Sequence, residues 1–275
     1  MKPGVEELSA KRPVPKAGEE VVCLEGLHKS FGELKVFDGI DLKFRYDQTT
    51  VVLGRSGTGK SVLLKHIIGL MKPDAGRVVV FGRDLEELDQ HKLEALRLRF
   101  GMLFQSSALF DSMDVNANVG FLLYEHTNKS DAEIRKIVRE KLDMVGLKDV
   151  ENRMPEELSG GMKKRVALAR AIAMDPQIIL YDEPTTGLDP VTADSINDLI
   201  VKMHKQLRNT SIVVTHDIAS TFKIAHRIVM LHEGKIILDD TPEGVRGSTD
   251  PRVQSFIRGD ASLETAATKK TGEEK

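Results

Sequence analysis

Residues 51–61 have the residue types and spacing of a phosphate-binding loop. They read Val-Val-Leu-Gly-Arg-Ser-Gly-Thr-Gly-Lys-Ser, so a short apolar strand precedes a loop with three glycines. The glycines let the backbone curl with its N–H groups pointing inward, and a mostly apolar helix begins at Ser61. A phosphate held by this loop would also lie at a helix N-terminus, where free N–H groups and the helix dipole favour an anion.

The chemistry predicted by this segment is the binding of a nucleoside triphosphate. In the pattern Gly-x-x-x-x-Gly-Lys-Ser/Thr, the lysine reaches the β- and γ-phosphates and the final hydroxyl ligates Mg²⁺. The candidate binding residues are Gly54, Arg55, Ser56, Gly57, Thr58, Gly59, Lys60 and Ser61, which we call the phosphate loop. The alternative is a glycine-rich turn with a solvated lysine, but the strand before the loop and the helix after it both favour the phosphate site.

Two adjacent acids, Asp182 and Glu183, follow the apolar run Ile-Ile-Leu-Tyr at residues 178–181. Such a run is typical of a central strand in a parallel sheet that is covered on both faces. Two buried carboxylates without a role would be costly to keep ionised. Beside a phosphate loop they form the acidic half of a triphosphatase site, in which Asp182 binds Mg²⁺ and Glu183 polarises a water.

Two more predicted strands end in polar residues, the first in Gln105 and the second in His216. In open α/β sheets the carboxyl ends of the strands line one ligand crevice, so Gln105 is placed to contact a ligand or a metal-bound water. The alternatives are a glutamine satisfied by backbone groups and a histidine that is only a surface or core residue. The other seven histidines have no ligand spacing, and no zinc site is expected.

A further motif, Leu-Ser-Gly-Gly-Met-Lys-Lys-Arg, starts at residue 158 and leads into a nearly all-apolar helix. Ser159 is a natural N-cap, and the glycines at 160 and 161 allow a partner to approach the backbone closely. Lys163, Lys164 and Arg165 then lie in the first turns, where the helix dipole disfavours positive charge. A bound anion would offset that cost. The alternative is a solvated basic face.

Composition limits the possible classes of protein. The 275 residues include 40 Lys and Arg and 42 Asp and Glu, so the net charge of −2 gives no reason to expect a nucleic-acid polymer as partner. A single cysteine, Cys23, fits a reducing compartment. No apolar run approaches the roughly 18 residues of a membrane-spanning helix, and the N-terminus has no signal-peptide pattern, so we expect a soluble chain.

The remaining patterns predict the organisation of one large α/β domain. Antiparallel strands are expected from Val21 to Tyr46, and a charged helix is expected to begin near Gly82 and run towards Arg99. The mixed-charge segment 106–158 reads as a helical lobe inserted into the α/β core. Phe31 lies on a predicted turn, where its ring could stack on an adenine or pack against its own sheet.

The set of motifs resembles the ATP-binding subunit of ABC transporters. That family has six motifs in the same order along the chain: Walker A, Q-loop, signature, Walker B, D-loop and switch histidine. The segments that carry the resemblance are residues 54–61, Gln105, residues 158–162, residues 178–183, Leu188-Asp189 and His216. The resemblance implies a P-loop NTPase core with a mainly parallel sheet, an N-terminal antiparallel β part and an inserted helical lobe.

The expected boundaries are a disordered arm over residues 1–19, an ATPase domain over 20–245 with its lobe at about 106–165, and a C-terminal extension with a disordered tail over 246–275.

The resemblance also implies ATP and Mg²⁺ as ligands and a role for each residue. Lys60 and the loop amides would hold the phosphates, and Phe31 would stack on adenine. The Mg²⁺ ligands would be Ser61, Gln105 and Asp182, the general base Glu183, and the sensor of the γ-phosphate His216. A second copy of the chain would be required, because Ser159, Gly160, Gly161 and Asp189 would meet the ATP bound by the partner in a head-to-tail dimer.

A narrower resemblance is to the Mla-type, MCE-linked phospholipid transporters. It rests on the run of residues 102–113, on Tyr124-Glu-His-Thr, on residues 250–256, and on Met162 where Gln is usual. It implies an integral-membrane permease and an MCE-domain lipid-binding protein as partners. The chain would then lie peripherally on the cytoplasmic face of the inner membrane.

Three other functions are alternatives to this one. An importer ATPase for a polar solute such as an amino acid shares the same motifs. A DNA-repair or chromosome ABC ATPase needs a long coiled-coil insertion, and only about 50 residues without sustained heptads lie between Gln105 and Leu158. A P-loop kinase would explain neither the signature helix nor Glu183.

Overall fold

Residues 14–259 are described by the computed structural model of the protein, in which two sheets are combined with helices. The expected disordered tail from Asp260 onward, and residues 1–13 of the expected N-terminal arm, lie outside the described residues. Residues 14–19 precede the first strand, and there the amide of Gly18 donates to the carbonyl of Tyr46 at 3.1 Å. No helix within residues 14–259 combines the length and apolar character that a bilayer-spanning segment requires.

The first sheet is antiparallel and has the strand order β2-β1-β4-β5. Its strands are β1 (Glu20–Phe31), β2 (Leu34–Arg45), β4 (Ala75–Val80) and β5 (Arg83–Asp84). The antiparallel part expected from the alternating pattern is confirmed. Residues 34–45 form one long strand with irregular register against β1, rather than two short strands, so Phe31 lies at the end of the β1–β2 hairpin.

The second sheet has the order β10-β9-β3-β8-β7-β6 and is parallel except at β10, which pairs antiparallel with β9. Its strands are β3 (Thr49–Leu53), β6 (Phe100–Leu103), β7 (Ile178–Asp182), β8 (Thr210–Thr215), β9 (Arg227–His232) and β10 (Lys235–Asp240). Five neighbouring strands therefore end at the same edge. The mainly parallel core expected from the sequence is confirmed, and this edge brings the ends of β3, β6, β7 and β8 together.

The helices surround this sheet. They are α1 (Lys60–Ile67), α2 (Gln90–Arg97), α3 (Val115–His126), α4 (Asp131–Met144), α5 (Gly160–Ala171), α6 (Pro190–Leu207), α7 (Ile218–Ile224), α8 (Pro242–Gly247) and α9 (Pro251–Arg258). The capping box expected at Ser130 and Glu133 is present at the start of α4. Apolar residues of α3, α4 and α5, among them Val119, Ile134 and Val166, pack in one buried cluster with Tyr181 of β7.

The helix expected to begin near Gly82 starts eight residues later, at Gln90. Residues 83–84 pair with β4, and Asp84 caps a short 3₁₀ turn by accepting from the amide of Glu86. Asp89 is the N-cap of α2 and accepts from the amide of Lys92 at 2.8 Å. Two aspartate caps thus divide a segment whose charge pattern alone predicted one helix.

Gly101 shows how closely β6, the strand that leads to Gln105, packs against the end of α5. A Cβ at this position would lie 2.3 Å from the main-chain oxygen of Ala171. We expect Gly101→Ala to lower the free energy of unfolding by ~1–3 kcal/mol, because the strand and the helix must move apart. Urea unfolding followed by circular dichroism measures this. Gly247→Ala is the control, since its added Cβ meets nothing within 4 Å. Equal losses in the two variants would contradict the close packing.

Candidate functional site

A cleft of about 490 Å³ lies at the edge where the parallel strands end, and it gathers side chains from distant parts of the chain. Its volume is in the range that small-molecule ligands occupy. Among the predicted site residues that line it are Phe31, Ser56, Gly57, Gly59, Lys60, Ser61, Gln105, Glu183 and His216. The fold therefore brings the aromatic turn, the phosphate loop and the polar ends of three strands to one cavity.

Phe31 forms the outer wall of the cleft and is 47% exposed. Lys29 lies beside it, with Nζ 5.6 Å from the centre of the ring. Asp74 holds this part of the hairpin, because it accepts from Lys29 Nζ at 2.6 Å and from the amide of Ser30 at 2.7 Å. The ring is thus presented at the cleft rather than buried against its own sheet.

The phosphate loop folds tightly around the side chain of Lys60, which is 6% exposed. Lys60 Nζ donates to the carbonyls of Gly54 and Arg55, each at 2.8 Å. Gly59 has a φ of +93°, and a Cβ there would lie 2.3 Å from Cγ1 of Val36. Only glycine fits this position, because the backbone conformation and the contact with the first sheet both exclude a side chain.

Asp182 and Ser61 form the part of the site suited to a hard cation. Ser61 Oγ donates to Asp182 Oδ1 at 2.8 Å, which joins the start of α1 to the end of β7. Burial raises the pKa of Asp182, although the hydrogen bond from Ser61 acts in the opposite direction. The ionised carboxylate is therefore short of compensating charge in the structure, and a cation beside these two oxygens would supply it.

Glu183 lies at the centre of a set of donors. Its Oε1 is 3.3 Å from Lys60 Nζ, and its Oε2 is 2.9 Å from His216 Nδ1. The hydroxyls of Thr186 and Thr215 also donate to Oε2, each at 3.2 Å. Burial by itself raises the pKa of Glu183, but the hydrogen bond from His216 and the charge of Lys60 outweigh it, so the pKa is lowered overall. The carboxylate is held ionised and oriented.

The backbone at Glu183 is unusual for a residue with a side chain. Its φ of +46° lies in the left-handed region, which costs a non-glycine residue roughly 1–2 kcal/mol. The amide of Glu183 donates to the carbonyl of Val214 at 2.9 Å, which fixes the turn against β8. Strain of this kind persists where neighbouring contacts determine the conformation, and here they direct the carboxylate into the cleft.

Sequence reasoning missed the residues that support this arrangement. Thr215 binds Glu183 and also accepts from the amide of Asp217 at 3.0 Å. Asp217 in turn accepts from the hydroxyls of Ser220 at 2.6 Å and Thr185 at 3.3 Å. These threonines and serines have no spacing in the sequence that links them. The polar run Thr-His-Asp after an apolar strand was the only local signal.

In the basic run after the signature motif, Lys164 and Arg165 are directed into the chain, so the expectation of a solvated face is corrected for these two residues. Lys164 is 4% exposed and its Nζ donates to the carbonyl of Gln105 at 2.5 Å. Arg165 donates to the carbonyl of Val145 and to Ser195 Oγ, each at 2.6 Å. Burial lowers the pKa of Lys164, while Asp182 and Glu183 act against that shift. Lys164 and Arg165 therefore donate to oxygen atoms of their own chain rather than to solvent.

The remaining predicted residues do not line the cleft of their own chain. Ser159 is the N-cap of α5 and accepts from the amide of Met162 at 3.3 Å. Asp189 is the N-cap of α6, and a Cβ on Gly160 would lie 3.7 Å from Cδ2 of Leu188. The structure thus brings Ser159, Gly160, Gly161 and Asp189 to the starts of two neighbouring helices, as a second group separate from the cleft.

Comparisons with known proteins decide the family. The model of the ABC transporter family, ABC_tran, matches residues 37–186. The chain belongs to the ABC transporter family. It is 41% identical over 243 residues to the "Intermembrane phospholipid transport system ATP-binding protein MlaF" of Haemophilus influenzae, with 88% of this chain and 92% of that protein covered.

Two further similarities add to this. The "Probable ribonucleotide transport ATP-binding protein mkl" of Mycobacterium leprae is 42% identical over 236 residues, which cover 86% of this chain and 68% of that protein. The solved ATP-binding cassette MJ0796, in a dimeric post-hydrolysis state bound to ADP and Pi, matches with a TM-score of 0.74 and 33% identity. That match covers 80% of this chain and 98% of the other. The expected ABC ATPase fold is confirmed, and the chain is an ATP-binding cassette.

Proposed function

We propose that the chain is the ATP-hydrolysing subunit of a transporter that moves phospholipid across the bacterial cell envelope. The observation that carries the ATPase part is the position of the ionised Glu183 in the same cleft as Lys60 and the phosphate loop. The lipid part is supported by the similarity to MlaF, of which 92% is covered. It is also supported by the Mla-like segments at residues 102–113 and 158–162.

In the proposed mechanism the phosphate loop binds the triphosphate through its inward N–H groups and Lys60. Lys60 now shares its charge among two carbonyls and Glu183, and a triphosphate would compete for it with a greater negative charge. Glu183 would then accept a proton from the attacking water, with His216 beside it to orient the carboxylate. Phe31 would stack on the adenine at the mouth of the cleft.

The oxygens of Ser61, Asp182 and Gln105 would hold Mg²⁺. Oxygen atoms are the hard ligands that this cation prefers, and Ser61 Oγ and Asp182 Oδ1 already lie 2.8 Å apart. When bound, the cation would neutralise charge on the phosphate oxygens. The rise that burial causes in the pKa of Asp182 also favours a cation at this carboxylate.

A second copy of the chain would complete each site. Ser159 and Asp189 lie outside the cleft of their own chain, at helix starts whose amides and dipole suit a phosphate of another molecule. The solved relative MJ0796 is described as a dimer. We therefore infer a head-to-tail homodimer in which Ser159, Gly160, Gly161 and Asp189 face the ATP held by the partner.

The proposed membrane partners are a permease and an MCE-domain lipid-binding protein, with this chain on the cytoplasmic face of the inner membrane. Phe104, next to Gln105, is 37% exposed, and Phe110, five residues after Gln105, is 41% exposed. Two exposed aromatic rings beside a nucleotide-contacting loop suit a protein partner that must respond to ATP. The relative mkl is named for ribonucleotide transport, so a transporter of a polar solute is the second candidate that the experiment has to exclude.

Tagged purification from detergent-solubilised membranes tests the proposal. A permease and an MCE-domain protein should copurify, and the complex reconstituted in phospholipid vesicles should release phosphate from ATP only with Mg²⁺. Phospholipid should stimulate this release, whereas ribonucleotides added as transport substrates should not. Copurification with a solute-binding protein, or stimulation by a ribonucleotide, would favour the second candidate. No phosphate release from the intact complex would overturn both.

A further inference from the structure

The two groups of predicted nucleotide contacts in one chain are connected through α5. Ser159 begins this helix, and Lys164 lies on it five residues later. Lys164 Nζ donates to the carbonyl of Gln105 at 2.5 Å and to the carbonyl of Phe104 at 3.5 Å. The Gln105 side chain itself lines the cleft. Helix α5 therefore holds the backbone of Gln105, whose side chain would face the nucleotide bound by its own chain.

The segment 104–110, which we call the Gln105 loop, needs such support. Ser107 and Ala108 have φ values of +65° and +47°, a conformation that costs each non-glycine residue roughly 1–2 kcal/mol. Arg170 of α5 donates to the carbonyl of Ser107 at 3.0 Å and to that of Ala108 at 2.8 Å. Two cations of one helix thus bind four carbonyls of the loop backbone, at residues 104, 105, 107 and 108, with Lys164 nearest the cleft.

Burial determines what Lys164 can do. At 4% exposure its ammonium cannot exchange the carbonyls for bulk water, and a charge-assisted hydrogen bond in such surroundings is strong. If α5 moves, Nζ moves with it, and the Gln105 carbonyl must follow or leave a buried charge without a partner. The neighbouring Lys163 is only half-buried and therefore provides a matched comparison on the same helix.

We propose that Lys164 is a positioning residue that couples the two ATP sites of the dimer. Contact of Ser159 with the partner's ATP would set the position of α5, and Lys164 would transmit that position to Gln105 in the other site. The inference rests on the proposed function, in which Ser159 faces the ATP of a second copy. It assigns no chemical step to Lys164, which acts only through the loop that it holds.

A double-mutant cycle in the full-length protein tests the positioning role. Lys164→Met should lower kcat about tenfold, a loss of ~1.4 kcal/mol, with little change in KM because the phosphate loop and Phe31 are untouched. In a Gln105→Ala background Lys164→Met should lower kcat no further, since both substitutions act through the Gln105 side chain. Lys164→Arg should restore most of the activity, and Lys163→Met should leave kcat within twofold. If the double variant instead loses kcat by the product of the two single losses, Lys164 is only structural.

Hydrogen exchange gives a readout that does not depend on turnover. In a Glu183→Gln background, ATP should slow exchange at residues 54–61 and at residues 104–110. Adding Lys164→Met should abolish the slowing at 104–110 and leave that at 54–61, and Ser159→Trp should do the same. Slowing at 104–110 that survives Lys164→Met would overturn the coupling. Absence of slowing at 54–61 in the parent variant would instead contradict the proposed ATP site.

Discussion

Glu183→Gln is expected to reduce steady-state ATP hydrolysis by about a hundredfold or more while ATP binding is retained. A positioned general base contributes roughly 10²–10⁴ to a rate, and the amide keeps the shape of the carboxylate but cannot accept the proton. The substitution also removes the negative charge beside Lys60, so the ammonium is freer to contact phosphate. Affinity for a fluorescent ATP analogue should therefore be equal to or higher than that of the unmodified protein.

The same variant should accumulate as an ATP-bound dimer, because the step that reopens the interface is blocked. Size-exclusion chromatography with and without ATP and Mg²⁺ measures this, alongside phosphate release. The control is Glu25→Gln, which alters an exposed ion pair with Arg77 and should change neither quantity. Unchanged hydrolysis in Glu183→Gln would remove Glu183 from its role as base.

Ser159→Trp is expected to lower kcat by about a hundredfold and to leave ATP binding by the monomer intact. The bulky ring would fill the space where the partner's nucleotide is proposed to lie, and loss of one preorganised donor costs roughly 10²–10³ in kcat. Ser159 does not line its own chain's cleft, so the affinity for the first ATP should be unaffected. Equilibrium binding of a fluorescent ATP analogue and a steady-state assay separate these two effects.

A second N-cap serine provides the matched control. Ser130 caps α4 as Ser159 caps α5, so Ser130→Trp removes a comparable cap, worth ~1 kcal/mol, from a helix of the lobe away from the cleft. Its kcat should stay close to that of the unmodified protein. A weaker affinity of the Ser159→Trp monomer for ATP would argue against the shared site, because Ser159 would then contact the ATP of its own chain.

Local sequence was sufficient where the chemistry depends on consecutive residues. The phosphate loop is a single run in which the glycine spacing sets the backbone path and Lys60 and Ser61 follow directly. The apolar strand before Asp182 and the capping box at Ser130 are also short-range signals, and both elements have the expected structure. Short-range patterns succeed here because each is made by neighbours along the chain.

Where the surroundings of a side chain come from distant segments, local patterns were not sufficient. Lys164 lies 59 residues from Gln105, so one lysine of a charge run that reads as a solvated face is instead a buried support for a loop. Helix α2, by contrast, begins late for a local reason, because residues 83–84 pair with the preceding strand β4 and Asp89 caps the helix that follows. At Lys164 a tertiary contact overrides a local preference whose magnitude is small.

By itself the sequence determined the order of the motifs, the P-loop core and the membership of the ABC transporter family, because these depend on residue types at fixed spacings. Only the tertiary structure decided how the carboxylate of Glu183 is held, by groups 3 to 123 residues away along the chain. It also decided that α5 holds the Gln105 loop. Burial and hydrogen-bond partners are properties of the folded chain, and no spacing in one segment encodes which distant segment will supply them.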